Sequence, residues 1–230
     1  AGGATWAYND QVGYFFGADQ NVRVSNKTQS GSWEGQEAQS HDAFSLFVDH
    51  GAKPTAGTYD YTVLPAATPA EVEAYAQAPT ARTLRNDTEV QAVRDAAAGI
   101  TMAAFAAAGS LDLGDGRTLA VDRPALIVLD ERGEAPVVSL SNPDRGGLRV
   151  GVTLTGGGQA RHGVFALGSG ENLGKTVTAA LVDGPLPATP TLAASSTAAG
   201  SSVAALGDDD PSTVWRSEGT GTQWVAQTLP

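Results

Sequence analysis

Three histidines, no cysteine and one run of aspartates limit the chemistry open to this chain. The run is Asp208-Asp209-Asp210, followed by Pro211-Ser212-Thr213. Carboxylates this close suit a hard cation such as calcium, which gathers about six to eight oxygen ligands. The same stretch equally fits a solvated acidic turn over Asp210-Pro211-Ser212-Thr213. His50 sits in a punctuated loop, Asp49-His50-Gly51-Ala52-Lys53-Pro54. A catalytic histidine needs an oriented partner within reach, and the sequence supplies none. The plainer role for His50 is structural, with its ring nitrogens bonded to loop backbone. His41 and His162 belong to no motif. Trp6 and Trp33 each carry a flat indole that can stack on a ring-shaped ligand such as a sugar, or fill the space between two sheets. Tyr8 and Tyr14 fall at strand spacing, where they either line a cleft or join a core. Trp215 and Trp224 lie close together and read as core. Trp6, Trp33 and Tyr14 are therefore the candidate ligand-binding residues, and no residue is assigned to catalysis.

The elements that must position these side chains read as strands. Val12 to Phe16 is an apolar and aromatic run, with a turn at Gly17-Ala18-Asp19, and Asn21 to Asn26 alternates with period two. Phe44 to Val48 and Tyr59 to Leu64 are two more strands, separated by the His50 loop. Thr68-Pro69-Ala70-Glu71 spells a helix start, with Thr at the N-cap, Pro first and Glu third, and predicts a helix from about Pro69 to Gln77. Thr88 to Arg94 and Ile100 to Ala107 read as strands, although the alanines in the second are equally at home in a helix. Ala125 to Leu129 and Val137 to Leu140 flank Asp130-Glu131-Arg132-Gly133 as a hairpin. Leu148 to Thr155 alternates up to Gly156-Gly157-Gly158, and Lys175 to Val182 alternates again. Short strands with regular turn signals are the pattern of a sandwich. Residues 183 to 191 carry three prolines and read as a stiff linker.

The bulk composition agrees. The chain has 230 residues, 28 glycines, 12 prolines and only 17% charged residues, which suits a loop-rich β protein. Its formal net charge of -11, with no cluster of Lys and Arg, argues against a nucleic-acid or membrane-surface partner. It also means that an acidic polymer would have to be held by local cationic contacts or by groups outside this chain. No apolar run is long enough to cross a membrane as a helix. The absence of cysteine rules out disulfides and thiolate metal sites. The first residues, Ala1-Gly2-Gly3-Ala4-Thr5-Trp6, lack the basic and apolar regions of an intact signal peptide and read as an internal start.

Two stretches resemble known families. Phe44-Ser45-Leu46-Phe47-Val48-Asp49-His50-Gly51, then Pro54, Tyr59-Asp60-Tyr61, Leu64-Pro65 and Thr68, resembles the large β-domain of polysaccharide lyase family 8. Trp6, Val12-Gly13-Tyr14-Phe15-Phe16 and Gly31-Ser32-Trp33 precede it in the order that family shows. Pro124-Ala125-Leu126-Ile127-Val128 and Leu140-Ser141-Asn142-Pro143 resemble its C-terminal sandwich. The second stretch runs from Ala194-Ser195-Ser196 and Gly200 through Asp208-Asp209-Asp210-Pro211-Ser212-Thr213-Val214-Trp215 to Gln223-Trp224-Val225. It resembles the opening of a discoidin-like carbohydrate-binding module, with Asp209 where that family usually has glycine.

The first resemblance implies an all-β fold of antiparallel β-sandwiches: the end of a large β-supersandwich plus a smaller C-terminal β-sandwich. The expected division is 1–86 for the large sandwich domain, 87–184 for the C-terminal sandwich, 185–191 for the linker and 192–230 for a truncated discoidin-like start. The resemblance implies a secreted, extracellular bacterial enzyme that cleaves uronic-acid polysaccharides by β-elimination. Its catalytic Asn, His, Tyr and Arg would come from an α-helical toroid that precedes the β-domains. This chain alone is then expected to be inactive, without a cofactor for catalysis. Its partners would be an acidic polysaccharide and an N-terminal α-helical catalytic domain, in the same polypeptide or a second chain. Trp6, Trp33 and Tyr14 would be substrate-binding. The second resemblance implies a structural calcium at Asp208, Asp210 and Thr213. The rival expectation is a stand-alone carbohydrate-binding or adhesin-type sandwich protein.

Overall fold

The computed structural model describes residues 4–17, 20–142, 149–168, 170–186, 191–206 and 213–228. The chain divides into two compact units, Ala1–Asn86 and Asp87–Pro230. The folds are antiparallel β-sandwich material throughout, with one helix longer than a single turn among the described residues.

In the first unit β1 (Trp6–Asn9) and β2 (Val12–Phe16) form a tight hairpin, Asn9 facing Val12. Its two turn residues, Asp10 and Gln11, both have positive φ, 45° and 64°. That geometry matches the twist of the flanking strands, and Asn or Gly usually fills it. A long ribbon follows, β3 (Val22–Gly31) paired with β4 (Gln39–Val48) over ten residues. Then come β5 (Tyr61–Pro65), α1 (Pro69–Gln77) and β6 (Ala81–Asn86). The sheet order is β1-β2-β5. The helix has the bounds and capping box read from the sequence. The Glu71 N–H donates to Thr68 Oγ1 at 3.3 Å, and the Thr68 N–H donates to Glu71 Oε2 at 2.7 Å. Its Val72 is fully buried against Gly13 of β2, where only a glycine lets the helix come so near. Tyr75 meets Phe15 edge-on, with ring centroids 5.4 Å apart. A second cluster joins Ala7, Phe16 and Val22 to Tyr14, Phe44, Leu46 and Val48.

The second unit is a two-sheet sandwich. Its strands are β7 (Val90–Asp95), β8 (Ile100–Phe105), β9 (Gly109–Asp112), β10 (Thr118–Val121), β11 (Ala125–Asp130), β12 (Val137–Ser141), β13 (Arg149–Gly156), β14 (Gln159–Ala166), β15 (Val177–Ala180) and β16 (Val182–Asp183). One sheet contains the run β15-β12-β11-β8-β7, and the other runs β16-β14-β13-β10-β9. Strict alternation decides what is inside: Thr101, Ala103 and Phe105, then Ala125, Ile127 and Leu129, then Val138 and Leu140 are buried. The other sheet buries Leu111, Leu119, Val121, Val150, Val152, Leu154 and Phe165. The alanine-rich stretch that suited either structure is β8, a strand paired on both sides, with β7 and with β11. The alternating run from Lys175 to Val182 is two strands, not one. β15 pairs with β12, β16 pairs with β14, and the buried Leu181 marks the crossing from one sheet to the other. Beyond it, β17 (Thr191–Ala194) pairs with β18 (Val225–Thr228), enclosing a 3-10 turn over Val203–Leu206.

Four charged groups hold one end of this sandwich. Arg94 of β7 meets Asp115 at 3.0 Å and Glu131 at 3.4 Å. Arg117 meets Asp115 at 2.7 Å and forks onto both oxygens of Glu131. Arg94 and Arg117 thus alternate with the two carboxylates in a closed ring. It ties β7 and the end of β11 to the β9–β10 turn of the opposite sheet. Gly156, at φ 144°, makes room for this ring, because a Cβ there would fall 2.4 Å from Arg117 Cγ. The paired Arg117 is pushed above its ordinary pKa, and Asp115 is held below its own, chiefly by their shared hydrogen bonds.

Candidate functional site

The first unit carries most of the exposed aromatic surface. β5 pairs with β2, setting Tyr61 opposite Phe16 and Val63 opposite Tyr14. Directly opposed residues share a face, so Tyr61 and Val63 lie on the side of the sheet that carries Phe16 and Tyr14, yet are 54% and 44% exposed. Tyr59, two residues before Tyr61, is 60% exposed. The two phenol rings lie nearly parallel, 19° apart in plane with centroids separated by 6.3 Å. The His50 ring stands next in the row, 6.4 Å from Tyr59.

Between the tyrosines, Asp60 anchors the backbone. Gln20 Nε2 donates to both Asp60 O, at 2.7 Å, and Asp60 Oδ1, at 2.5 Å. Thr83 Oγ1 donates to Asp60 Oδ2 at 2.6 Å, and Asn86 Nδ2 donates to Tyr59 O at 2.9 Å. The loop that carries His50 is pinned in the same way. Asp49 accepts the Gly51 N–H at 2.9 Å and Arg23 Nε at 3.3 Å. The Gly51 N–H, and after it Arg23, hold the Asp49 carboxyl below its usual pKa. The His50 ring nitrogens have no hydrogen bond among the described residues; the ring is placed by packing, close over Gly57 and beside Tyr59.

The sequence-derived candidates fall in different places. Trp33 sits at the tip of the β3–β4 ribbon and is 73% exposed. The outer half of that ribbon is exposed on both faces and is almost wholly polar, tied across the strands by Thr28 Oγ1 to Asp42 Oδ1 at 2.7 Å. Trp6 is half-buried in β1 opposite Phe15. Tyr14 is half-buried, stacked on Phe44 at 6.2 Å and packed on the Ala7, Phe16 and Val22 cluster. His162 is structural, with Nδ1 3.1 Å from Gly184 O. His41 is exposed on the ribbon. Asp208 and Asp210 lie outside the described residues. Thr213 is exposed, and among the described residues no three His, Cys, Asp or Glu side chains are grouped to hold a metal ion.

Trp215 is half-buried and donates its indole N–H to Ser196 O at 3.1 Å. Trp224, read as core, is instead 53% exposed. Two four-residue strands are too little structure to enclose both indoles. The tyrosine row was absent from the sequence-derived candidates. Its signal was there in Tyr59-Asp60-Tyr61, where the period of two puts both rings on one side.

Comparison with known proteins places these features in a family. The polysaccharide lyase family 8 super-sandwich domain matches residues 1–76, and the family's C-terminal beta-sandwich domain matches residues 82–149. Chondroitinase-AC of Pedobacter heparinus is 30% identical over 151 residues, covering 62% of this chain and 21% of that protein. A hyaluronate lyase of Thermasporomyces composti is 28% identical over 158 residues, covering 65% of this chain and 20% of that protein. A xanthan lyase of Bacillus sp. is 27% identical over 107 residues, covering 43% of this chain and 12% of that protein. The chain thus spans about a fifth or less of the length of these relatives. A solved structure of chondroitinase AC lyase superposes with a TM-score of 0.72 at 24% identity, covering 77% of this chain and 28% of that one. The Paenibacillus xanthan lyase structure gives 0.61 at 20% identity, covering 83% and 22%. With both of its sandwich domains matched in succession along the sequence, this chain belongs to polysaccharide lyase family 8.

Proposed function

We propose that this chain is the non-catalytic, β-rich portion of a secreted polysaccharide lyase that cleaves an acidic, uronate-containing polymer by β-elimination. What carries the reading is the order of the two matches, super-sandwich then C-terminal sandwich, in one continuous sequence. The relatives are named for chondroitin, hyaluronate and xanthan, and all three polymers carry uronic acids.

β-Elimination removes a proton from the carbon beside the uronate carboxylate. It needs a base in reach and a group that neutralises the developing charge. Neither role is filled at His50, whose nearest aromatic partner is Tyr59 and whose ring has no hydrogen-bonded carboxylate. The catalytic groups on this reading belong to an α-helical domain of the same polypeptide or of a second chain. The β-units brace that domain and form one wall of the cleft. Trp33, at the end of a polar ribbon, is the substrate contact among the three candidates. Trp6 and Tyr14 serve to hold the sheet in place. Residues 192–230 are read as the start of a discoidin-like module, with calcium at Asp208, Asp210 and Thr213.

The test is the ultraviolet absorbance of the unsaturated uronate product, on hyaluronan, chondroitin and xanthan-derived substrates. The 230-residue chain should give none, and the whole polypeptide that carries this sequence should give product. Product from the 230 residues alone would end the non-catalytic reading. No product from the whole polypeptide would end the lyase reading.

A further inference from the structure

We propose that residues 182–186 form a strap, latched across the outer face of the β16-β14-β13-β10-β9 sheet, so that the chain beyond Leu186 leaves the sandwich from a fixed place. The prolines after Asp183 stiffen this stretch but attach it to nothing. The attachment comes from the strands beneath. β16 begins it, with Val182 opposite His162 and Asp183 opposite Arg161. Two paired residues are too few to hold a chain by themselves. Phe165 is buried, so alternation puts Val164 and His162 on the outer face of β14. Gly151 of β13 opposes Val164 and shares that face.

The latch is Gly184. Its N–H donates to Ala160 O at 2.8 Å. Its carbonyl accepts from His162 Nδ1 at 3.1 Å, and since a carbonyl only accepts, Nδ1 carries the proton. Both backbone polar groups of Gly184 are thus held by β14, at a φ of 111° that favours glycine. Arg161 Nε also donates to Asp183 Oδ1 at 3.0 Å, but that carboxylate is 82% exposed and the pair adds little.

Beyond Pro185, Leu186 is seated over β13. A Cβ on Gly151 would fall 3.3 Å from Leu186 Cδ1 and 2.7 Å from Asp122 Oδ2. Glycine inside a strand marks the close approach of another segment, and here Leu186 and Asp122 both crowd onto it. Asp122 is itself fixed, its Oδ1 accepting the Gly151 N–H at 2.8 Å and its N–H donating to Gly151 O at 3.2 Å. The strap therefore passes from the edge strand β16, over His162 of β14, to Gly151 of β13. The reach of the C-terminal segment is measured from β13 and not from the sheet edge, so less chain is free to swing. The strap does not depend on what the chain binds.

The experiment is amide hydrogen exchange of the 230-residue chain, read by mass spectrometry. In the wild-type chain, residues 182–186 should exchange at least about tenfold more slowly than an unstructured peptide of the same sequence. His162→Ala removes the donor to Gly184 O, and Leu186→Ala empties the seat on Gly151. Each should speed exchange of residues 182–186 by roughly threefold to tenfold, the value of one hydrogen bond or a partly buried side chain. Exchange of β11, Ala125–Asp130, should stay at the wild-type rate in both variants, which shows that the sandwich itself remains folded. Wild-type exchange of residues 182–186 at the unstructured rate would overturn the strap. So would the absence of acceleration in both variants. Equal acceleration in β11 would overturn it too, since the substitutions would then be loosening the whole sandwich and releasing no strap.

Discussion

A methyl group added at Gly13 would lie 2.1 Å from Val72 Cγ2, well inside any real contact distance. Gly13 is needed for that space and not for its backbone, since it is absent from the residues with positive φ. Overpacking a closed site costs about 1–3 kcal/mol, and the reduced freedom of the unfolded chain returns a part of it. Gly13→Ala should therefore lower stability by about 1–2 kcal/mol in urea unfolding. Gly31→Ala, where nothing lies within 4 Å, should be neutral or slightly stabilising. In the background of Val72→Ala, which vacates the space, the Gly13→Ala cost should largely vanish. Additivity of the two substitutions would show that the strand and helix do not meet there as described.

Among elements, the closed ring of Arg94, Asp115, Arg117 and Glu131 matters because it joins strands of different sheets. The Arg94 and Glu131 side chains are 11% and 14% exposed, so their charges are largely removed from water. Surface ion pairs contribute little, but taking away one partner of a mostly buried set leaves the others uncompensated. Glu131→Gln removes one of the two carboxylates that both arginines share, the more buried one, and should destabilise the chain by about 1–3 kcal/mol. The comparison is Arg132→Ala, which breaks a pair whose arginine is 69% exposed, and which should change stability much less than Glu131→Gln does. Equal effects in urea titrations would mean that the ring does not span the two sheets as an interior feature.

For the whole molecule the carboxylates set the response to acid. Asp49, Glu71, Asp115 and Asp130 are all held below their ordinary pKa values, Asp130 down to about 2. Their causes differ: the Gly51 and Thr68 backbone N–H groups for the first two, and the Arg117 and Arg132 side chains for the others. The sign is common to all four. A carboxyl that binds its proton more weakly when folded stabilises the fold above its unfolded pKa, and that stability is lost as pH falls through the folded pKa. Melting temperature should be level from neutrality down to about pH 5 and then fall progressively below about pH 4. A net charge of -11 at neutral pH works in the other direction, because mild acid relieves self-repulsion. A melting temperature that rises steadily from pH 5 to pH 2.5 would show that repulsion outweighs these pairs.

By itself the sequence determined whatever is local and periodic. The capping box at Thr68 and Glu71 fixed the helix to Pro69–Gln77, because its bonding partners are three residues apart. The apolar runs at Val12 to Phe16, Ala125 to Leu129 and Val137 to Leu140, set off by turn residues, marked strands that the structure contains. Ordered short motifs were enough to point to the family. Tertiary structure alone decided four things. The alanine stretch from Ile100 is a strand because β7 and β11 offer hydrogen bonds on both edges, a long-range fact. The run from Lys175 to Val182 is divided between two sheets because its partners, β12 and β14, lie in different layers. Tyr14 packs on Phe44, whereas Tyr61, on the same face of the sheet, stays exposed and stacks on Tyr59. The charge ring joins residues 94, 115, 117 and 131, whose meeting depends on two sheets being stacked. Local pattern specifies which face of an element is apolar, but what covers that face is settled only when distant parts of the chain come together.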